Sequence, residues 1–251
     1  DNPYWRYYRE RNEPMVCFSD NSVVPLLFFI EKQLANKKIT NDDYDFLFNN
    51  TTHRRPGDAS VNGIQVEMGN IKCSNGFIHK TAEVVTPLPN MADVIASKSN
   101  ADMYNRLLER YCAPYPDREG SMTRQYNYEF DANVDTVFTK RFFSEKSQGG
   151  LSLIQTPAGK AVNGTLKYDP AWNAYSAGLN DQGGNIALQK DMAVMMVPSD
   201  EAMRNYWEEG AGKVLRDYYG SWDNVPDDVI SKLINVNMLS SFISSVPSKF
   251  D

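Results

Sequence analysis

The chain has 251 residues, 41% hydrophobic, 12% aromatic and 23% charged, the make-up of a folded protein with one large or two modest domains and not of a disordered tail. A formal charge of −6 speaks against a nucleic-acid partner, whose phosphates need concentrated Lys and Arg, and no apolar run reaches the length of a membrane span. Three cysteines, Cys17, Cys73 and Cys112, make no C-x-x-C pair and leave one over, so they read as small buried hydrophobes and not as a disulfide framework.

Residues 1–20 bring Tyr4, Trp5, Tyr7 and Tyr8 close together. Core packing is the preferred reading of this cluster over a carbohydrate-stacking platform. Ser22 to Leu34 is expected to be a helix with Pro25 in its first turn, presenting Leu26, Leu27, Ile30 and Leu34. Thr40 opens a second helix with Asp43 at the capping-box position, and Tyr44, Leu47 and Phe48 face inward. A polar loop over 49–60 follows, with Arg54 and Arg55 as solvated cations.

The segment 61–89 carries two Asn-Gly pairs, Asn62-Gly63 and Asn75-Gly76, each suited to a type I′ turn because both residue types tolerate positive φ. Val61, Ile64, Val66, Met68 and Ile71 precede the second turn, and Phe77, Ile78, Val84 and Val85 follow it. The pattern predicts a β-meander that leaves through Pro87-Leu88-Pro89. Asn90 with Asp93, and Ser99 with Asp102, then signal the starts of two short helices. Met91, Val94 and Ile95, and then Met103, Leu107, Leu108 and Tyr111, supply their apolar faces.

Residues 113–190 are rich in aromatic side chains. A strand over Tyr126–Phe130, a short helix or strand over Val134–Ser144, and a hairpin of 151–154 with 165–168 around Gly159 and Asn163-Gly164 are expected. Gly183-Gly184 precedes the return to a buried strand at 191–197, after which Pro198, Ser199 as cap and an acidic first turn open a helix. Met203, Tyr206 and Trp207 line it and Gly210 and Gly212 end it; Val214, Leu215 and Tyr218 begin another. Trp222 to Pro226 is a turn, and Asp227 to Ser241 a final helix.

The run Ser74-Asn75-Gly76-Phe77-Ile78-His79, preceded by Val61-Asn62-Gly63 and followed by an apolar pair and proline, resembles the closing motif of fasciclin domains. The helix pair at 90–112 resembles the start of such a domain, and Asp191 to Met203 resembles its opening strand–Pro–cap–Glu-Ala motif. The motifs stand in the reverse of their order within one domain. The resemblance therefore implies the C-terminal part of a first fasciclin domain at 1–89 and the N-terminal part of a second at 90–251, with an insert at about 113–190. The implied fold is α+β, a β-wedge of small sheets flanked by short helices. The missing strands would leave sheet edges to be covered by the other half-domain, a partner chain or residues outside this sequence. The arrangement is similar to an elaborated Gram-negative, Bacteroidetes-like subfamily.

Fasciclin domains are mostly non-catalytic adhesion modules, so the resemblance implies a cell-surface interaction protein facing outward from a bacterial outer membrane and held by an anchor outside this chain. Its partners would be surface proteins or glycans. The motif residues Asn75, Gly76, Ile78, His79, Pro198, Ser199, Glu201 and Ala202 are structural in this reading, with His79 hydrogen-bonded in the sheet. Animal relatives carry Asp-Ile just before the Asn-Gly-x-Ile-His run; Asn70-Ile71 stands here, and Val236-Asn237 stands where many relatives have Tyr-His, so integrin binding does not transfer. If a ligand surface exists it is expected on the insert, with Tyr168, Trp172 and Tyr175 as its aromatic residues. That would suit a glycan-binding accessory of an outer-membrane uptake system.

Chemistry-bearing patterns are sparse. His53 and His79 with three separated cysteines make no zinc set, there is no G-x-S-x-G, and Gly183-Gly184 lacks the context of a phosphate loop. Asp42, Asp43 and Asp45 fit an acidic first helical turn better than a calcium loop. A glycoside hydrolase needs two placed carboxylates, for which Asp169 with Asp181 or Glu201 is the remote possibility. No metal or cofactor is expected.

Overall fold

The computed structural model describes residues 2–11, 15–19, 28–36, 38–86, 88–147, 152–171, 194–239 and 246–249. It is an α+β protein of small sheets and short helices, and its chain divides into two compact units. The first unit takes residues 1–22, 90–172 and 195–238, and the second takes 23–89, 173–194 and 239–251.

In the first unit, helix α1 (Pro3–Glu10) and strand β1 (Cys17–Ser19) precede a long excursion of the chain. Strand β6 (Cys112–Pro116) and strand β7 (Phe138–Phe142) pair antiparallel, β1 pairs parallel to β7, and the sheet order is β1-β7-β6. Pro114 and Pro116 lack N–H donors, which suits β6 to its place at the sheet edge. Helices α4 (Met91–Ala96) and α5 (Asp102–Leu108) stand where the apolar spacing puts them. Tyr104, Leu107, Leu108 and Tyr111 join Val137, Phe142, Leu166, Ile230 and Ile234 as buried core residues. Each such aliphatic side chain contributes roughly 1.5–3 kcal/mol when fully buried.

Asn90 caps α4 as expected, accepting the Asp93 N–H at 2.8 Å. Ser99 does not cap α5. The residue before α5 is Ala101, which makes no side-chain cap, and the Met103 N–H instead donates to the carboxylate of Asp200 at 2.8 Å. The Asp200 N–H in turn donates to the carbonyl of Asn100. Asp200 opens helix α7 (Asp200–Glu208), so two helix N-termini are interlocked by one side chain from 97 residues away. No local pattern encodes such a cap.

The expected strand at 126–130 is helix α6 (Ser121–Glu129). Its start is held by Asp117, whose carboxylate accepts the Gly120 and Thr123 N–H groups and the Thr123 hydroxyl. Those hydrogen bonds hold the Asp117 carboxyl below its ordinary range. Aromatic residues raised the strand reading, and the cap that Asp117 supplies from just before the helix overrides it. Of the segment 134–144, Phe138–Phe142 forms strand β7. The hairpin expected at 151–168 is replaced by isolated bridges, with Ser144 taking Leu153 on one side and Leu166 on the other. Helix α8 (Lys213–Tyr219) follows α7, and helix α9 (Asp227–Asn235) ends six residues before the expected Ser241. It stops because Met238–Leu239 forms strand β9, paired with β8 (Val194–Met195). Strand β8 is half-buried and short, not the buried strand expected.

The second unit holds an antiparallel sheet of order β2-β3-β4-β5, formed by Phe28–Ile30, Ala59–Val61, Ile64–Lys72 and Phe77–Thr81. The helix expected over 22–34 is corrected here. Phe28–Ile30 is a strand paired with β3, and helix α2 begins at Glu31 and ends at Asn36; residues 20–27 lie outside the described residues. Sheet pairing of the aromatic and β-branched run Phe-Phe-Ile overrides its helical spacing. Helix α3 (Asn41–Leu47) has the full capping box between Thr40 and Asp43.

Asn62 and Gly63 take φ of 49° and 84°, as a type I′ turn between β3 and β4 requires. The second Asn-Gly pair behaves otherwise. Residues 73–76 form a four-residue loop closed by the Cys73 N–H donating to the Gly76 carbonyl, and neither Asn75 nor Gly76 has positive φ. Arg54, expected to be solvated, is only 8% exposed. Its guanidinium lies 4.9 Å from the Tyr44 ring centre and donates to Asn41, Ser60 and the Asp58 carbonyl.

Candidate functional site

A cleft of about 870 Å³ opens in the first unit. Its walls come from α1, from α5 and the turn after it, from the turn at Trp222–Asn224 and from the loop at 162–164. Asn2 fixes one wall. Its side-chain oxygen caps α1 by accepting the Tyr4 N–H, and its amide donates to the carbonyls of Glu109 and Cys112 at 2.7 and 2.6 Å. That anchor sets the aromatic residues of α1. Tyr4 packs edge-on against Phe143 at 5.4 Å and Tyr8 against Phe138 at 5.0 Å, which leaves both rings half-exposed.

Arg110 builds the opposite wall. Its guanidinium pairs with Asp227 at 2.6 Å and donates to the carbonyls of Trp222 and Val225 at 3.2 and 2.6 Å. One planar fork thus fastens the Trp222 turn and the start of α9 to the α5 turn, a geometry a lysine cannot reproduce. The Tyr111 hydroxyl donates to the Asp227 carbonyl beside it. Trp222 stacks on Trp207 with centroids 4.3 Å apart and planes 29° apart. Two further ion pairs line the cleft, Arg106 with Asp223 at 3.4 Å and Lys140 with Glu109.

The titratable groups with displaced pKa values all move away from neutrality. Burial, and then the Asp227 charge, raise Tyr4 and Tyr111. Burial, and then Glu109, raise the Cys112 thiol. Burial by itself would lower Lys140, but Cys112 and Glu109 outweigh it and hold the ammonium above its ordinary value. Among the described residues, three shielded polar atoms of the cleft lining have no hydrogen-bond partner, the indole Nε1 atoms of Trp5 and Trp222 and the Asn105 Oδ1.

The residues singled out from the sequence lie elsewhere. Asn75, Gly76, Ile78 and His79 sit on the exposed β4–β5 hairpin of the second unit, where the Asn70 N–H donates to His79 Nδ1 at 3.3 Å. Pro198, Ser199, Glu201 and Ala202 sit at the start of α7 in the first unit, with Ser199 accepting the Ala202 N–H. Tyr168 is 4% exposed and belongs to the core, while Trp172 and Tyr175 lie outside the described residues. Asp169 is buried and accepts the Ala171 N–H, as turn chemistry predicts; Asp181 lies outside the described residues and Glu201 is exposed. Among the described residues no cluster of three His, Cys, Asp or Glu side chains could hold a metal ion, and no helix is long and apolar enough to cross a membrane.

Sequence reasoning noted the α1 aromatics but missed Arg110, Asn105 and Trp222 as wall residues. The signal for Arg110 was weak, one basic residue at the end of a short helix. What makes it central is its reach to a turn 112 residues further on. No family description, curated protein or solved structure matches this chain.

Proposed function

We propose that the chain is a non-catalytic interaction protein of the bacterial cell surface, built on modules of the fasciclin kind at 1–89 and 90–251, with the cleft of the first unit as its ligand site. The carrying observation is that cleft, of a volume that suits a small-molecule or side-chain ligand. Six of its seven charged side chains form three ion pairs, and its displaced pKa values lie away from neutrality. The Asn62-Gly63 turn and the Ser199 cap are compatible with the fasciclin motifs and give the module reading local support.

Hydrogen exchange with the intact chain tests this, comparing protein alone with protein mixed with solubilised outer-envelope material. Protection of 103–111 and 221–228 is expected. Protection confined to the 64–81 hairpin would remove the cleft from the interaction. Turnover of a nitrophenyl glycoside or ester panel that disappears in Asp223→Asn would overturn the non-catalytic reading.

A further inference from the structure

The geometry points to a neutral saccharide as the ligand of this cleft, an inference that rests on the cleft being a binding site. Four basic and three acidic side chains line it, and three ion pairs take up Arg106, Arg110, Lys140, Glu109, Asp223 and Asp227. Arg9 adds one charge at an exposed position. A phosphate or sulfate ligand would need concentrated, uncommitted cations, and this lining does not concentrate them. A purely apolar ligand would strip water from guanidinium and carboxylate groups and return nothing.

A sugar ring answers both halves of the lining. Its C–H face carries partial positive charge suited to the negative faces of half-exposed Tyr4, Tyr8 and Trp222. Its hydroxyls each donate and accept, so adjacent hydroxyls can bridge a guanidinium and a carboxylate that are already paired. The Arg106–Asp223 pair is well exposed, its side chains 72% and 67% accessible, so its groups can turn onto hydroxyls at little cost. The Trp222 indole N–H is an unmatched donor and the Asn105 Oδ1 an unmatched acceptor. Both atoms are shielded in this conformation, so the proposed contact requires the wall side chains to rotate. Hydroxyls supply the partner each lacks. The volume accommodates a di- or trisaccharide.

The test is a titration of the full ¹⁵N-labelled chain, following the Trp222 indole N–H and the backbone amides of 103–111 and 221–228. The probes are neutral di- and trisaccharides of gluco, galacto, manno and xylo configuration, a uronate disaccharide, a sulfated disaccharide and a set of tripeptides. At least one neutral saccharide is expected to shift the Trp222 indole peak. Its Kd should stay within about twofold between roughly 0.05 and 0.5 M salt, since little net charge is neutralised. Trp222→Phe keeps a stacking ring and loses the donor, and should weaken binding about two- to tenfold. Asn105→Leu, close in size but without the acceptor, should also weaken binding about two- to tenfold while leaving the indole donor in place. Binding of the charged sugars or the peptides alone would overturn the saccharide assignment and leave the cleft as a site. Silence of every cleft resonance with every probe would overturn the binding-site reading as well.

Discussion

Gly164 has φ of 132°, and a Cβ there would lie 2.9 Å from the Asp227 carbonyl oxygen, so the loop at 162–164 can approach the start of α9 only without a side chain. Gly164→Ala should cost about 1–3 kcal/mol through backbone strain and this clash, measured as a lower midpoint in urea. An unchanged midpoint would show that the loop repacks freely. The sequence marked Asn163-Gly164 as a turn, yet nothing local says which carbonyl the glycine must clear. The two other Asn-Gly pairs make the same point. Asn62-Gly63 takes the turn its chemistry favours, and a Cβ on Gly63 would fall 2.6 Å from the Phe48 ring. Asn75-Gly76 has the same chemistry but sits in a four-residue loop, because the β4–β5 register pairs Lys72 with Phe77 and leaves residues 73–76 to close the turn. Asn70, with φ of 58°, occupies one of the irregularities of β4, a conformation that Asn tolerates better than most residues.

Helix caps show how far local reading extends to elements. Thr40, Asn90 and Ser199 cap the helices they precede, since a cap is satisfied within three residues. The start of α5 is satisfied by Asp200 from 97 residues away, and that of α6 by Asp117, which reaches three residues on to Gly120 and six on to Thr123. Asp43 does both kinds of work. Besides its capping box on α3, its carboxylate accepts the Ser248 N–H at 2.9 Å and the Ser248 hydroxyl, tying the turn Pro247–Lys249 to the helix within the second unit. Burial would raise its pKa, but the hydrogen bonds from Ser248 and Thr40 outweigh that and lower it to about 2. The folded state therefore favours the ionised form. That contribution, roughly 2 kcal/mol, is complete above about pH 5 and is lost progressively as pH falls toward 2. Asp43→Asn should lower stability at pH 7 and flatten the pH dependence of urea unfolding between about 5 and 2. Ser248→Ala should give a smaller loss in the same direction. An acid limb of the same slope in both variants and the parent would assign the acid sensitivity to other carboxylates.

At the scale of the whole molecule, the three cysteines are free thiols that differ in access: Cys112 is 0% exposed, while Cys17 and Cys73 are partly exposed. Reaction of the native chain with a thiol-specific chromogen should modify Cys73 first and Cys17 more slowly, because burial raises the Cys17 thiol. Cys112 should react only on unfolding. Rapid modification of all three would show that the core around β6 opens readily. The sequence expected three buried cysteines, and Cys112 alone meets that description. Apolar spacing and turn chemistry by themselves determined a mix of short helices and strands, the positions of α3, α4 and α7, and the first hairpin, because each depends on interactions within a few residues. Tertiary structure alone decided the strand at 28–30, the helix at 121–129 and the cleft, because each rests on long-range partners: Phe28 on Val61, Asp117 and Thr123 on Val137, and Arg110 on Trp222, Val225 and Asp227. The aromatic residues of α1 were visible as a cluster from the start. Their place in a cleft wall came from Asn2, which holds that helix to the carbonyls of Glu109 and Cys112, more than a hundred residues away.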